Sequence, residues 1–214
     1  MAEGKKPYPA SLSVDYPDRE LNRLTSFFRL IVIIPIGILL CLVNGAAWES
    51  GKGHQWLVPL SAGGVLFLAT MLMLVFKQKY PRWWFDWNIA LTKFGARVGA
   101  YLALLRDEYP STDEDQAVHI EIPYPDARKD LNQWLPLVKW FLAIPHYIIL
   151  FVLGIAAIFV VIIAWFAILF TGRYPKGLFG FVVGVMRWSL RVMAYAFLLT
   201  TDKYPPFTLG EQAQ

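Results

Sequence analysis

The chain has 214 residues, of which 57% are hydrophobic and 17% are charged, and its formal net charge is +4. Soluble domains are typically about 45–50% apolar and about 25% charged, so this composition excludes an ordinary soluble globule. The apolar residues lie in long runs for which a bilayer is the natural solvent, and we predict an all-α integral membrane protein.

The first predicted element is a strand at residues 11–15, where apolar and polar side chains alternate. A second segment with the same alternation lies at residues 118–122. A period of two is typical of a half-exposed strand. We predict that the two segments pair as a small cytoplasmic β ribbon.

Each strand is followed by two strongly apolar segments and one mixed segment. Their predicted bounds are about 30–47, 57–76 and 83–105 in the first half, and about 137–153, 155–171 and 178–199 in the second. A polar loop at residues 48–56 predicts a transmembrane hairpin in the first half. The second half has no such loop, but one helix over residues 137–170 would span about 50 Å, against a hydrocarbon core of about 30 Å. We therefore predict a tight hairpin around Gly154.

The two halves match in order, which predicts a tandem duplication. The matched residues are Tyr16-Pro17-Asp18 with Tyr124-Pro125-Asp126, Asn22 with Asn132, Arg29 with Lys139, Pro35 with Pro145, Lys93 with Arg187, Arg97 with Arg191, and Tyr101 with Tyr195. We divide the chain into a first repeat (1–110), an acidic linker (111–117), a second repeat (118–207) and a tail (208–214). Asp18 and Asp126 are predicted to cap the helices that follow them. The alternative is that Tyr-Pro pairs merely recur at interfaces, but this does not explain basic pairs at the same offset.

The third segment of each repeat decides the topology. If it spans the membrane, each repeat has three crossings and the repeats are inverted. Placing Lys93 and Arg97, or Arg187 and Arg191, at mid-bilayer would cost roughly 2.5–3.5 kcal/mol for each cation, so we favour an interfacial amphipathic helix and four transmembrane helices in total. All Lys and Arg residues except Lys52 then lie on one side or on the interfacial helices, which predicts cytoplasmic termini.

Two stretches of the second repeat, residues 135–146 and 164–175, resemble an uncharacterised bacterial membrane family, the domain of unknown function numbered 4389. The resemblance continues through residues 181–191 and 202–207. The first repeat departs from the pattern, with Ile36 in place of His146 and Lys77-Gln78 in place of Thr171-Gly172. The resemblance implies a prokaryotic membrane protein and supplies no activity or catalytic residues.

The candidate binding residues are Lys93, Arg97, Arg187 and Arg191. Two cations one helical turn apart can hold a lipid phosphate or an acidic partner segment, although simple snorkelling to water explains them equally well. His146 is interpreted either as an interfacial hydrogen-bonding residue or as one that helps to satisfy carbonyls freed by Pro145, because a haem would need a second buried histidine. We find no pattern for a metal, a cofactor or a catalytic nucleophile.

These features predict a non-catalytic accessory or scaffold subunit of the bacterial inner membrane, with both termini in the cytoplasm. Its expected partners are anionic lipids and another membrane protein or a second copy of itself, without nucleic acid. The alternative is a protein that handles lipid or conducts a small solute or ion, and a membrane enzyme is the third choice.

Overall fold

The computed structural model describes residues 8–36, 62–112, 114 and 116–210, and it is mostly helical. The elements, numbered in chain order, are β1 (Ser11–Val14), α1 (Arg23–Val32), α2 (Ala62–Lys77), α3 (Arg82–Leu102), β2 (Val118–Glu121), α4 (Pro136–Leu142), α5 (Ile144–Thr171) and α6 (Lys176–Ala196). The predicted loop at 48–56 lies outside the described residues. Two of the described helices, α5 and α6, are long and apolar enough to cross a membrane.

The two predicted strands pair with each other in a register of four residue pairs. β1 and β2 are antiparallel, with Leu12 opposite Ile120 and Ser13 opposite His119. Leu12 and Ile120 are buried, whereas His119 and Glu121 are exposed. The ribbon therefore has one face on the core and one polar face, as period-two alternation requires.

Asparagine caps α1, where an aspartate cap was expected. The Asn22 side chain accepts hydrogen bonds from the backbone N–H groups of Leu24 and Thr25. The prediction that Asp18 caps this helix is wrong, because the helix begins five residues further on, at Arg23. Asp126 accepts from the backbone N–H of Arg128 and closes a turn.

The two repeats bend at the same place before a proline. Ile33 (φ −79°, ψ −13°) ends α1, and Ala143 (φ −81°, ψ −6°) separates α4 from α5. Each residue stands two positions before a proline, Pro35 or Pro145, which has no N–H to continue the helical ladder.

The tight hairpin predicted around Gly154 is wrong. Residues Ile144–Thr171 form one helix of 28 residues, about 42 Å long at 1.5 Å per residue. A lone glycine costs a helix only about 1 kcal/mol, and the flanking residues offer no polar turn. The break lies instead at Ala143, between α4 and α5.

α5 and α6 run antiparallel and share a core. His146, near the start of α5, contacts Trp188 in the second half of α6. Ala164 and Ile168, near the end of α5, share a core with Phe179 at the start of α6. Leu12 of β1 belongs to the same core, so the ribbon packs beside α6.

Gly172 closes the turn between α5 and α6 in the left-handed region, with φ +74°. The equivalent residue of the first repeat, Gln78, adopts the same conformation, with φ +46°. The sequence departure at this position therefore leaves the backbone course unchanged.

Candidate functional site

The two predicted repeats make matching side-chain contacts with each other. Leu12 and Ile120, which occupy matching positions in the predicted duplication, face each other in the ribbon. The Tyr16 hydroxyl donates to the carbonyl of Tyr174 in the second repeat. Tyr124, the equivalent of Tyr16, donates to the carbonyl of Tyr80 in the first repeat. Each repeat thus supplies a tyrosine hydroxyl that binds a backbone carbonyl of the other repeat.

Each repeat also buries a cation at the base of its apolar segment. In the first repeat Arg29 is 2% exposed, pairs with Asp107 and donates to the carbonyl of Tyr101 at 2.8 Å. Its guanidinium carbon lies 4.3 Å from the centre of the Tyr101 ring. The Asp107 carboxylate accepts in addition from the backbone N–H of Asn22 at 2.7 Å.

The second repeat reproduces this arrangement with a lysine. Lys139 is 0% exposed, and its ammonium lies 2.6 Å from Asp202 and 5.3 Å from the centre of the Tyr195 ring. Asp202 accepts from the backbone N–H of Asn132 at 2.6 Å. We call these two groups the cation clamps, and each fixes the bent helix entry to the end of the third helix of its repeat.

The sequence matched Arg29 with Lys139 and Tyr101 with Tyr195, but it did not identify their acidic partners. Asp107 and Asp202 each lie two residues before the closing Tyr-Pro pair. That shared spacing is the signal that could have found them, since a buried cation needs a carboxylate.

The structure places three of the four predicted binding cations on backbone carbonyls. Arg97 donates to the carbonyl of Ser111, and Arg187 donates to the carbonyls of Leu12 and Leu209. Arg191 is 3% exposed and donates to the carbonyls of Thr208 and Gly210. These arginines hold the linker, the ribbon and the C-terminal segment against the third helices. Their role in lipid binding stays a prediction.

Lys93, the fourth predicted cation, lies in a different environment. It lines a groove of about 600 Å³ between α3 and the ribbon, together with Ser11, Glu121 and Ile122. Among the described residues Lys93 makes no hydrogen bond or ion pair. In the second repeat Leu209 packs on α6 one turn before Arg187, the match of Lys93, and a Cβ on Gly184 would meet it at 2.9 Å.

The end of the first repeat carries a charged pair beside the first clamp. Arg106 donates to the Glu108 carboxylate at 2.5 Å, and the backbone N–H of Ala117 donates to its second oxygen at 3.4 Å. Partial burial acts to raise the pKa of Glu108, but these hydrogen bonds and the Arg106 charge outweigh it and lower the pKa.

Comparison with known proteins finds a family match within the second half of the chain. Residues 136–208 match the family described as Domain of unknown function (DUF4389). The predicted resemblance is thereby confirmed for this segment. No curated protein and no solved structure matches the chain.

The DUF4389 segment contains the second clamp and an aromatic enclosure around His146. His146 is 0% exposed, accepts a hydrogen bond at Nδ1 from the Trp188 indole at 3.1 Å, and stacks on Phe207 with 4.1 Å between ring centroids. An acceptor role at Nδ1 puts the proton of the neutral ring on Nε2. The expected bond to a freed carbonyl is not seen among the described residues, and no group of three potential metal ligands occurs in them.

Proposed function

We propose that this protein is a non-catalytic integral membrane scaffold of the bacterial inner membrane, with the ribbon, the linker and both termini in the cytoplasm. It docks on another membrane protein or on a second copy through α5 and contacts anionic lipid at its edges. The observation that carries this proposal is the exposed face of α5.

That face is broad and entirely apolar. The buried residues of α5 are His146, Ala164 and Ile168, all on the side that packs against the rest of the chain. The large exposed side chains include Phe151, Ile158, Phe159, Ile162 and Phe166. At 100° per residue the exposed positions cover about half of the helix circumference. An apolar surface of this extent needs lipid or protein to cover it.

The contacts of α6 support an interfacial position for this helix. Arg187, in the middle of α6, donates to the carbonyl of Leu12 at the centre of the ribbon at 2.9 Å. A membrane-spanning α6 would hold the ribbon, with exposed His119 and Glu121, at mid-bilayer, where polar groups are costly. An interfacial α6 leaves the polar face of the ribbon in water.

Since α5 runs antiparallel beside α6, an interfacial α6 puts α5 parallel to the membrane surface as well. We place α5 along the cytoplasmic leaflet, with its broad face among the acyl chains, in place of the two crossings expected for the second repeat. The buried residues of α5 then face α6, and its exposed face meets lipid or a partner helix.

Cysteine cross-linking in native membranes tests the docking role. A cysteine at position 158, on the exposed face, should form a cross-link to a second copy or to one stoichiometric partner. The matched control is a cysteine at position 164, which is 0% exposed and packed inside the chain, and which should form none. Purification in mild detergent with quantification of co-purifying protein completes the test. A monomer without cross-links, retaining lipid alone, would overturn the scaffold proposal.

A further inference from the structure

The groove between α3 and the ribbon carries two opposite charges that have no partner among the described residues. It has a volume of about 600 Å³, and its lining includes Lys93, Ser11 and Glu121. Lys93 stands in the middle of α3 and is half-buried, whereas Glu121 is exposed at the end of β2. Neither charged side chain forms a hydrogen bond or an ion pair with a described residue. The groove is therefore open to a ligand that offers a charge or a carbonyl oxygen.

The edge of β2 adds backbone groups to this groove. The N–H of Asp15 donates to the carbonyl of Ala117 at 3.0 Å, which continues the register of the two strands. Ladder hydrogen bonds of an antiparallel pair fall on alternate residue pairs. The N–H and carbonyl groups of Leu12 and Ile120, which occupy matching positions in the predicted duplication, therefore point away from the partner strand. Since Ile120 lines the groove, β2 presents one outward donor and one outward acceptor there.

The second repeat shows what the matching cation binds. Arg187, the match of Lys93, donates to the carbonyl of Leu12 at 2.9 Å and to the carbonyl of Leu209 at 3.2 Å. Leu209 belongs to the C-terminal segment, which has neither helical nor strand structure at this point. One cation thus joins the outward carbonyl of a ribbon strand to the backbone of a separate segment.

The first repeat contains only part of this arrangement. Arg97, one turn after Lys93, donates to the carbonyl of Ser111 at 2.8 Å. Lys93 itself donates neither to the outward carbonyl of Ile120 nor to any other described residue. The described part of the chain thus supplies Lys93 with no counterpart of Leu209. A peptide segment from another molecule would complete the arrangement.

The walls of the groove define the chemistry of its occupant. The remaining lining is mostly apolar and consists of Tyr8, Pro9, Ile89, Ile122 and Pro123. Lys93 favours a carboxylate, whereas Glu121 repels a second carboxylate and favours a cation. We propose that the groove binds an extended segment of a partner protein, which places one acidic residue on Lys93 and one basic residue on Glu121 and hydrogen-bonds the Ile120 backbone. Peptides that add to a strand edge gain affinity from main-chain hydrogen bonds and specificity from such side-chain contacts.

This inference goes beyond the proposed function, because the lining of the groove includes no residue of α5. The cross-link at position 158 reports on α5 alone, so the docking role of α5 and the peptide site can fail independently of each other.

The test presents a library of short random peptides to the purified full-length protein in detergent micelles, and sequencing identifies the enriched peptides. We expect these peptides to share one acidic and one basic residue at a fixed spacing. Lys93→Glu should replace the acidic preference by a basic one, and Glu121→Lys should replace the basic preference by an acidic one. Such reversals report on direct contact, since a misfolded variant would lose binding without reversing its preference.

For the most enriched peptide, Lys93→Gln should weaken binding about tenfold, because the variant loses a hydrogen bond between charged groups. Fluorescence anisotropy of the labelled peptide measures this change. The matched control is Lys79→Glu, which inverts an exposed lysine outside the groove and should leave the enriched sequences and the affinity unchanged. An equal change in this control, the absence of an enriched motif, or the same motif with Lys93→Glu would overturn the proposal. Full displacement of the peptide by short-chain phosphatidylglycerol would also overturn it and would assign the groove to a lipid headgroup.

Discussion

At the scale of residues, the chain uses its buried cations to join elements that are distant in sequence. Arg29 and Lys139 each bring together a helix entry, an aspartate and a tyrosine ring of the third helix. A buried charge without its partner is strongly destabilising, so the aspartates of these clamps should matter more than surface carboxylates.

Replacement of Asp202 by Asn should lower the free energy of unfolding by about 3–5 kcal/mol, because it leaves the Lys139 ammonium buried without a counter-charge. Lys139→Met should be milder, since Asp202 is 25% exposed and can be hydrated. Asp126→Asn is the control and should change stability by less than about 1 kcal/mol, because its pair with Lys129 is exposed. Unfolding of the detergent-solubilised variants by denaturant measures all three. Equal effects at positions 202 and 126 would contradict the role of the clamp.

Glu108 predicts a pH dependence on the acid side. Its pKa is lowered in the folded chain from an ordinary value of 4.5. A carboxyl whose folded pKa lies below its unfolded pKa contributes stability above the unfolded value, and this contribution disappears as the pH falls through the folded value. Glu108→Gln should therefore be less stable than the native chain at pH 7, and the difference should disappear as the pH falls below 4.5 and through the lowered folded pKa. Thermal unfolding at pH 7 and across the acid range checks this, and a constant difference would refute it.

At the scale of elements, the turn between the apolar helix and the third helix requires a left-handed residue in both repeats. Glycine occupies this position in the second repeat and glutamine in the first. A side chain in the left-handed region costs roughly 1–2 kcal/mol, so the two turns differ in intrinsic strain although their courses agree.

Gly172→Ala should destabilise the chain by at least about 1 kcal/mol through this strain, and the new Cβ would meet the Glu20 carboxylate at 3.0 Å. The reciprocal change, Gln78→Gly, should be less costly, because relief of the same strain opposes the loss of the Gln78 contact with Gln133. Gly177→Ala, where an added Cβ meets nothing within 4 Å, is the control. Thermal unfolding ranks the three, and a Gly172→Ala variant as stable as Gly177→Ala would contradict the argument.

At the scale of the whole molecule, reciprocal hydrogen bonds beside the ribbon join the two repeats into one folded unit. Tyr16 reaches the second repeat and Tyr124 reaches the first, so the division into repeats describes the sequence rather than separable domains. In the proposed placement, the ribbon beside the middle of α6 sets both helices of the DUF4389 segment along the cytoplasmic leaflet.

Single cysteines at positions 128 and 177, introduced after replacement of the native Cys41 by Ser, test this orientation. They precede α4 and follow the end of α5, and both positions are exposed. If α5 lies along one leaflet, a membrane-impermeant maleimide should label both only after the cytoplasmic face is opened. Labelling of position 177 from the outside, with position 128 still protected, would show that α5 crosses the membrane. Reporter fusions at residue 113 and at the C-terminus should both give cytoplasmic signals.

The sequence by itself determined the two strands and the positions that correspond between the two halves. Alternation at residues 11–15 and 118–122 identified both strands, and the ordered matches paired Pro35 with Pro145 and Arg29 with Lys139. These features depend on local backbone preference and on periodic burial, both of which are set by residues close together in the sequence. Only the tertiary structure decided that Gly154 lies inside one helix, that Asp107 and Asp202 neutralise the buried cations, and that each Tyr-Pro-Asp motif serves the opposite repeat. Such outcomes depend on packing between segments far apart in sequence. A local sequence pattern does not specify which distant carbonyl or carboxylate a side chain will contact.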